Sequence, residues 1–272
     1  MTIKLICIDM DGTLLMDQQN VAPVDQEAIK YAVSKGAHVA ITTGRVYNCA
    51  KLYAKTIGLK TPIIASNGAF IGGTSGESIY CNPLELSDIQ NFMELTQEEG
   101  VLAYLTANFG IVSTVELPET NIYKVLNQTL EDHEKIRLEV ISSLDELVEF
   151  EKDILKGVCI CQDRDQLQRM REKIQTACPH LEVVSSWNNN FEVMKKGSSK
   201  GEAVKKLAEY LNIPKEQVMC IGDSENDLSM LQAAGVAVAM GNATDDVKAV
   251  ADYITADNQH GGVAQAIHHY IK

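Results

Sequence analysis

Ile6-Cys7-Ile8-Asp9-Met10-Asp11-Gly12-Thr13-Leu14 opens on an apolar run and stops in two carboxylates one residue apart. The run Lys4–Ile8 predicts a buried strand. Residues i and i+2 of a strand point the same way, so Asp9 and Asp11 are expected to face one pocket at its end. Carboxylates buried there cost free energy unless a cation or a reaction needs them.

Outward from this stretch, strand and helix signals alternate. A helix follows Pro23, with Ala28, Ile29, Ala32 and Val33 on one face and Gly36 at its end. Strand Ala37–Thr42 comes next, broken by Thr43-Gly44-Arg45, and a helix runs on to Ile57. The short strand Pro62–Ser66 ends in Asn67-Gly68, and Phe70-Ile71 with Ile79-Tyr80 predict a hairpin. This βαβ texture predicts an α/β fold, a doubly wound parallel sheet covered by helices. It lapses near Pro83 and returns near Lys200, where Ala203, Val204, Leu207, Ala208 and Leu211 form a helix stripe ahead of strand Val218–Ile221. Segments 1–82 and 191–272 are therefore read as one core, with 83–190 as an inserted α+β domain. Within the insert, Tyr104, Phe109, Tyr123 and Trp187 are read as core rather than ligand-stacking residues.

The 272 residues are 45% hydrophobic and 22% charged, enough to bury a sizeable core, and carry a net charge of −13. Such a surface repels nucleic acid and anionic membranes, so neither is an expected partner. No apolar stretch reaches the ~20 residues of a membrane-spanning helix. The N-terminus shows no signal-peptide pattern. The seven scattered cysteines are read as reduced thiols, which places the chain in the cytoplasm. Nothing predicts a coiled coil or extended interface, and a monomer or weak homodimer is expected.

Polar clusters follow the apolar strands or open the helices: Asp9–Thr13, Thr42–Arg45, Ser199-Lys200-Gly201, and Gly222-Asp223 with Asn226-Asp227. Open α/β sheets bind ligands beyond the carboxyl ends of their strands, so these clusters are expected to converge there. Carboxylates, a lysine, hydroxyls and glycine backbone are what a phosphoryl group with a hard divalent cation requires. Thr43 and the backbone N–H groups of Met10 and Gly44 suit phosphate oxygens.

In these motifs (D-M-D-G-T, T-G-R, S-K-G and G-D-S-E-N-D) the chain resembles the haloacid dehalogenase superfamily, and within it the Cof-type phosphatases with a large inserted cap. The resemblance implies a phosphatase of small phosphorylated metabolites, sugar phosphates among them, working through an aspartyl-phosphate. Asp9 is then the nucleophile and Asp11 the general acid and base. The Asp9 carboxylate, the Asp11 backbone carbonyl and Asp223 hold Mg²⁺. Met10, Thr43, Gly44, Asn226 and Lys200 hold phosphate, Arg45 and Asn67 contact substrate, and Asp227 orients Lys200 or a metal-bound water from behind. A cap closing over the site implies a small substrate. A phosphomutase or phosphotransferase shares Asp9 and Asp11, so the motifs leave that alternative open. A phospho-aspartate signalling domain fits less well, because Asp11 would hasten hydrolysis of the signal.

Overall fold

The Leu5–Asp9 strand is buried along its whole length, in the middle of an eight-stranded sheet. Across that sheet the order is Tyr253–Ile254, Val236–Ala239, Val218–Gly222, Leu5–Asp9, His38–Thr42, Ile63–Ala65, Phe70–Gly72, Ser78–Cys81. A computed structural model describes residues 2–17, 19–185 and 188–272, and Trp187 lies outside them. The chain divides into two compact units. The first comprises Met1–Arg45, Ala50–Tyr80 and Ser198–Lys272; the second comprises Val46–Cys49 and Cys81–Gly197.

In the first unit the strands from Tyr253–Ile254 through Ile63–Ala65 run parallel. They are near-continuous Val, Ile, Leu, Ala and Cys, as sheets buried on both faces require. The expected parallel sheet needs one correction. Phe70–Gly72 pairs antiparallel with Ile63–Ala65, because the short turn Ser66–Gly68 sends the chain straight back. Register places Asp9 opposite Thr42 and the preceding Ile8 opposite Ile221, so the strand ends at Asp9, Thr42 and Gly222 lie side by side. Helix Pro23–Ser34 packs on Gly262–Tyr270, and Lys200–Tyr210 on Leu228–Ala233.

The second unit is a six-stranded sheet in the order Leu181–Val184, Asn190–Lys195, Ile154–Ile160, Leu102–Ala107, Gly110–Ser113, Arg137–Val140. Helices Leu86–Glu98 and Arg164–Ala177 bury Ile89, Phe92, Met93, Met170 and Ile174 with Leu105, Cys159, Phe191 and Val193 of the sheet. Gly157 is where Phe92 descends: a Cβ there would stand 2.6 Å from the ring. Residues 191–197, assigned to the core on sequence, fall in this unit. Asn190–Lys195 is paired on both sides within the inserted sheet. Arg137–Val140, which no sequence signal marked, is an edge strand with exposed ends. Tyr104 and Tyr123 are buried, and Phe109, half-buried, meets Phe150 with ring centroids 5.9 Å apart.

Burial of Phe92 sets a first prediction. Phe92→Ala is expected to cost about 3–5 kcal/mol in urea denaturation, the range for deleting a core aromatic. A loss below about 1 kcal/mol would show that helix Leu86–Glu98 is not part of the inserted core. No helix among the described residues is long and apolar enough to cross a membrane.

Candidate active site

Strand Leu5–Asp9 delivers Asp9 to the carboxyl edge of the sheet with its side chain buried. Helix Lys200–Tyr210 begins beside it. Ser199 caps that helix, its Oγ accepting the Glu202 N–H at 3.1 Å. The macrodipole disfavours a cation at this end of a helix. Lys200 is nevertheless fully buried, and its Nζ donates to Asp9 Oδ1 and to Asp227 Oδ1, both at 2.6 Å. Burial works against the ammonium, but the charges of Asp227 and Asp9 outweigh it and hold Lys200 above its ordinary pKa.

Asp227 is also engaged at its other oxygen, which accepts the backbone N–H groups of Asp223 at 2.9 Å and Ser224 at 3.1 Å. It thus shapes the loop and steadies the lysine. Asp223 takes the Thr13 hydroxyl at 2.8 Å. Gly12 makes room for it: at φ 84° this position favours glycine, and a Cβ would lie 2.5 Å from an Asp223 carboxylate oxygen. Burial, and then the charge of Asp227, push the Asp223 carboxyl up to about 7. Asp9 is likewise raised well above the carboxylate range, by burial first and then by Asp227, against the opposing pull of Lys200.

Asp11 lies just beyond the strand, and its carboxylate meets Arg45 rather than the lysine. Arg45 donates from Nε to Asp11 Oδ2 at 2.9 Å, forms a second bond from Nη2 to Oδ1, and reaches the Tyr53 hydroxyl at 3.0 Å from Nη1. This is the two-pronged guanidinium–carboxylate geometry. Thr43, following strand His38–Thr42, is buried and accepts the Arg45 N–H on its hydroxyl at 3.1 Å. Gly44 is half-buried, and Met10 packs its side chain into the core. Asn226 donates to Asn67 Oδ1 at 3.1 Å and accepts from the Ser224 hydroxyl at 2.8 Å.

The structure thus joins buried Asp9, Lys200 and Asp227 with half-buried Asp223 in one cluster, Asp11 with Arg45, and Asn67 with Asn226. It gives Asn67 a polypeptide partner where a substrate contact was expected. Thr13 was quoted within the first motif but assigned no role. Its signal is a hydroxyl two residues after Asp11, on the turn that leads away from the strand-end carboxylates.

Oxygen atoms of Asp9, Asp223 and Asp227 lie within 4.8 Å of one another, an all-carboxylate donor set. Hard oxygen donors suit Mg²⁺: Asp9 is buried and Asp223 half-buried, and with Asp227 held by Lys200 and backbone N–H groups, Asp9 and Asp223 are the carboxylates a divalent cation would neutralise. The residues therefore fit the metal.

Carboxylates at the strand ends and a lysine at a helix start make an acid–lysine centre at the carboxyl edge of an α/β sheet. A model of the haloacid dehalogenase-like hydrolases matches residues 6–267, and the chain belongs to that family. It is 33% identical to phosphatase YwpJ of Bacillus subtilis (strain 168), across 99% of this chain and 100% of that one. It is also 33% identical to the 5-amino-6-(5-phospho-D-ribitylamino)uracil phosphatase YcsE of the same organism, across 99% and 96%. Among solved structures, a haloacid dehalogenase-like hydrolase from B. subtilis superposes with a TM-score of 0.88 at 30% identity, covering 99% of this chain and all of that one.

Proposed function

We propose that this hydrolase is a Mg²⁺-dependent phosphatase of small phosphorylated metabolites, sugar phosphates among them, acting through a phosphorylated Asp9. The observation that carries the reading is the buried bridge of Lys200 between Asp9 and Asp227 at the carboxyl edge of the sheet. A nucleophilic carboxylate needs its lone pair aimed at phosphorus and its charge balanced but not protonated. Lys200 pulls Asp9 toward its charged form against burial and the neighbouring carboxylates, and Asp227 fixes Lys200.

In the first half-reaction an Asp9 oxygen bonds to phosphorus, the bond from phosphorus to the leaving oxygen breaks, and Asp11 gives that oxygen its proton. In the second, Asp11 takes a proton from water as the water oxygen bonds to phosphorus. The bond to Asp9 then breaks and inorganic phosphate departs. Asp11 must be free of Arg45 to carry a proton. A phosphate dianion competes for the same guanidinium fork, so substrate itself releases the acid. Thr43, the Gly44 and Met10 N–H groups and Asn226 take the phosphate oxygens. Asp9, the Asp11 carbonyl and Asp223 would hold Mg²⁺, which supplies positive charge to the phosphoryl oxygens. The inserted unit selects the leaving group. The 33% identical YcsE is named for a ribityl phosphate, which supports a polyol or sugar phosphate as the substrate class. The seven cysteines, all free thiols, suit a reducing compartment such as the cytoplasm.

The test is phosphate release from hexose, pentose and polyol phosphates, pyridoxal phosphate, flavin mononucleotide and an aryl phosphate. Release with Mg²⁺ and at least a hundredfold loss in excess chelator are expected, the scale of removing a principal transition-state charge. Full turnover after metal stripping, or an isomeric phosphate in place of inorganic phosphate, would overturn the reading.

A further inference from the structure

Ser66, Asn67 and Gly68 are consecutive residues in left-handed backbone, at φ 49°, 52° and 93°. Side chains on L-residues disfavour this conformation, and asparagine tolerates it better than serine. All three are buried. Strain of this kind persists where the surroundings over-determine it, and such places cluster at functional sites.

The surroundings here are the phosphate-binding motifs. The Ser66 N–H donates to the Arg45 carbonyl and the Asn67 N–H to the Thr43 carbonyl, each at 3.0 Å. Gly68 presses on the helix that starts at Lys200: a Cβ there would lie 2.2 Å from the carbonyl oxygen of its cap, Ser199. Asn67 Oδ1 accepts from Asn226 Nδ2 at 3.1 Å across 159 residues of sequence. One turn therefore touches the Thr43 loop, the Lys200 helix and the Asn226 loop together.

We propose that Asn67 is a positioning residue: it fixes which end of the Asn226 carboxamide meets the phosphate. A carboxamide presents a donor at one end and an acceptor at the other, and a half-turn exchanges them. Asn67 Oδ1 takes one Nδ2 hydrogen, and the Ser224 hydroxyl occupies Oδ1 at 2.8 Å. Flipping the amide would set its oxygen against Asn67 Oδ1. The second Nδ2 hydrogen is thereby kept as a donor for an anion, and a carbonyl oxygen that would repel phosphate is kept away. The strained backbone follows from this role, since it turns the Asn67 side chain back toward Asn226. This inference rests on the phosphatase reading, with Asn226 holding a phosphate oxygen.

The experiment is a double-mutant cycle on phosphate release, with KM and kcat separated and inorganic phosphate as competing ligand. Asn226→Ala alone is expected to raise KM and the inhibition constant for inorganic phosphate about tenfold, the loss of one hydrogen bond to a charged group. Asn67→Gly keeps the left-handed backbone and removes the amide. It should reproduce most of that loss, and adding Asn226→Ala to it should then cost less than about twofold, because coupled residues are not additive. Asn67→Asp keeps both the backbone preference and an acceptor for Asn226. In that background Asn226→Ala should again cost several-fold, whatever the added charge does to absolute activity. It also serves if the glycine variant does not fold. A full tenfold cost of Asn226→Ala in the Asn67→Gly background, or an unaltered Asn67→Gly enzyme, overturns the proposal. If the wild type releases no phosphate from any compound, the phosphatase reading fails instead. The cycle is then read from inorganic phosphate binding by calorimetry, which tests Asn67 separately.

Discussion

Lys200→Met is expected to abolish phosphate release and to lower stability by about 3–5 kcal/mol, the cost of stripping one partner from a buried ion pair. The methionine fills nearly the same volume, so the loss is electrostatic rather than a cavity. Lys200 is the cation that both Asp9 and Asp227 touch, at 2.6 Å each, and all three side chains are buried. Even with the lysine present, burial and like charge raise Asp9 well above the carboxylate range. Without it, Asp9 and Asp227 face each other and Asp223 with no cation between them, and Asp9 is pushed further toward its protonated form.

The sign in pH follows. In the variant the folded-state pKa of Asp9 lies further above its unfolded value, so stability is fully present in acid and is lost as pH rises through it. Wild type and Lys200→Met should therefore approach each other in urea midpoint on acidification and separate toward neutral pH. Added Mg²⁺ should narrow the gap at neutral pH by neutralising the same carboxylates. A midpoint equal to wild type at neutral pH, without metal, would show that the lysine does not balance this cluster.

Residues that declare themselves through neighbours in sequence were legible. Asp9 could be placed at a strand end because the apolar run Leu5–Ile8 stops there. Lys200 could be placed at a helix start because Ser199 precedes it and an apolar stripe follows. Partners distant in sequence were not. Arg45 and Asp11 are 34 residues apart, and Asn67 and Asn226 are 159 apart. Nothing local says that Arg45 faces a carboxylate or that Asn67 meets the Asn226 amide. The direction of Phe70–Gly72 was equally hidden, since a three-residue apolar strand has the same pattern parallel or antiparallel. Asn190–Lys195 suited either sheet, and only its pairing with Leu181–Val184 and Ile154–Ile160 assigns it to the insert. Arg137–Val140 escaped because an edge strand, partly exposed, needs no hydrophobic alternation.

Asp9→Asn separates chemistry from stability. The amide cannot form the acyl phosphate, so kcat is expected to fall at least about ten-thousandfold, the scale of removing a covalent nucleophile. Stability should hold or rise. The substitution removes one of three crowded carboxylates yet leaves Lys200 its 2.6 Å contact with Asp227, and the amide oxygen can still accept from the ammonium. On the proposed mechanism, Asp9 is a carboxylate the fold tolerates for the sake of reaction, as active sites commonly do. Two measurements decide this: phosphate release in the presence of Mg²⁺, and melting temperature with and without it. Retention of more than a tenth of wild-type kcat would remove Asp9 from the nucleophile's role. A fall in melting temperature of about 4 °C or more, upwards of 1 kcal/mol at this chain length, would remove the charge-crowding account. The remaining outcome, an inert and more stable protein, leaves Asp9 as the residue whose reactivity the Lys200–Asp227 bridge exists to hold.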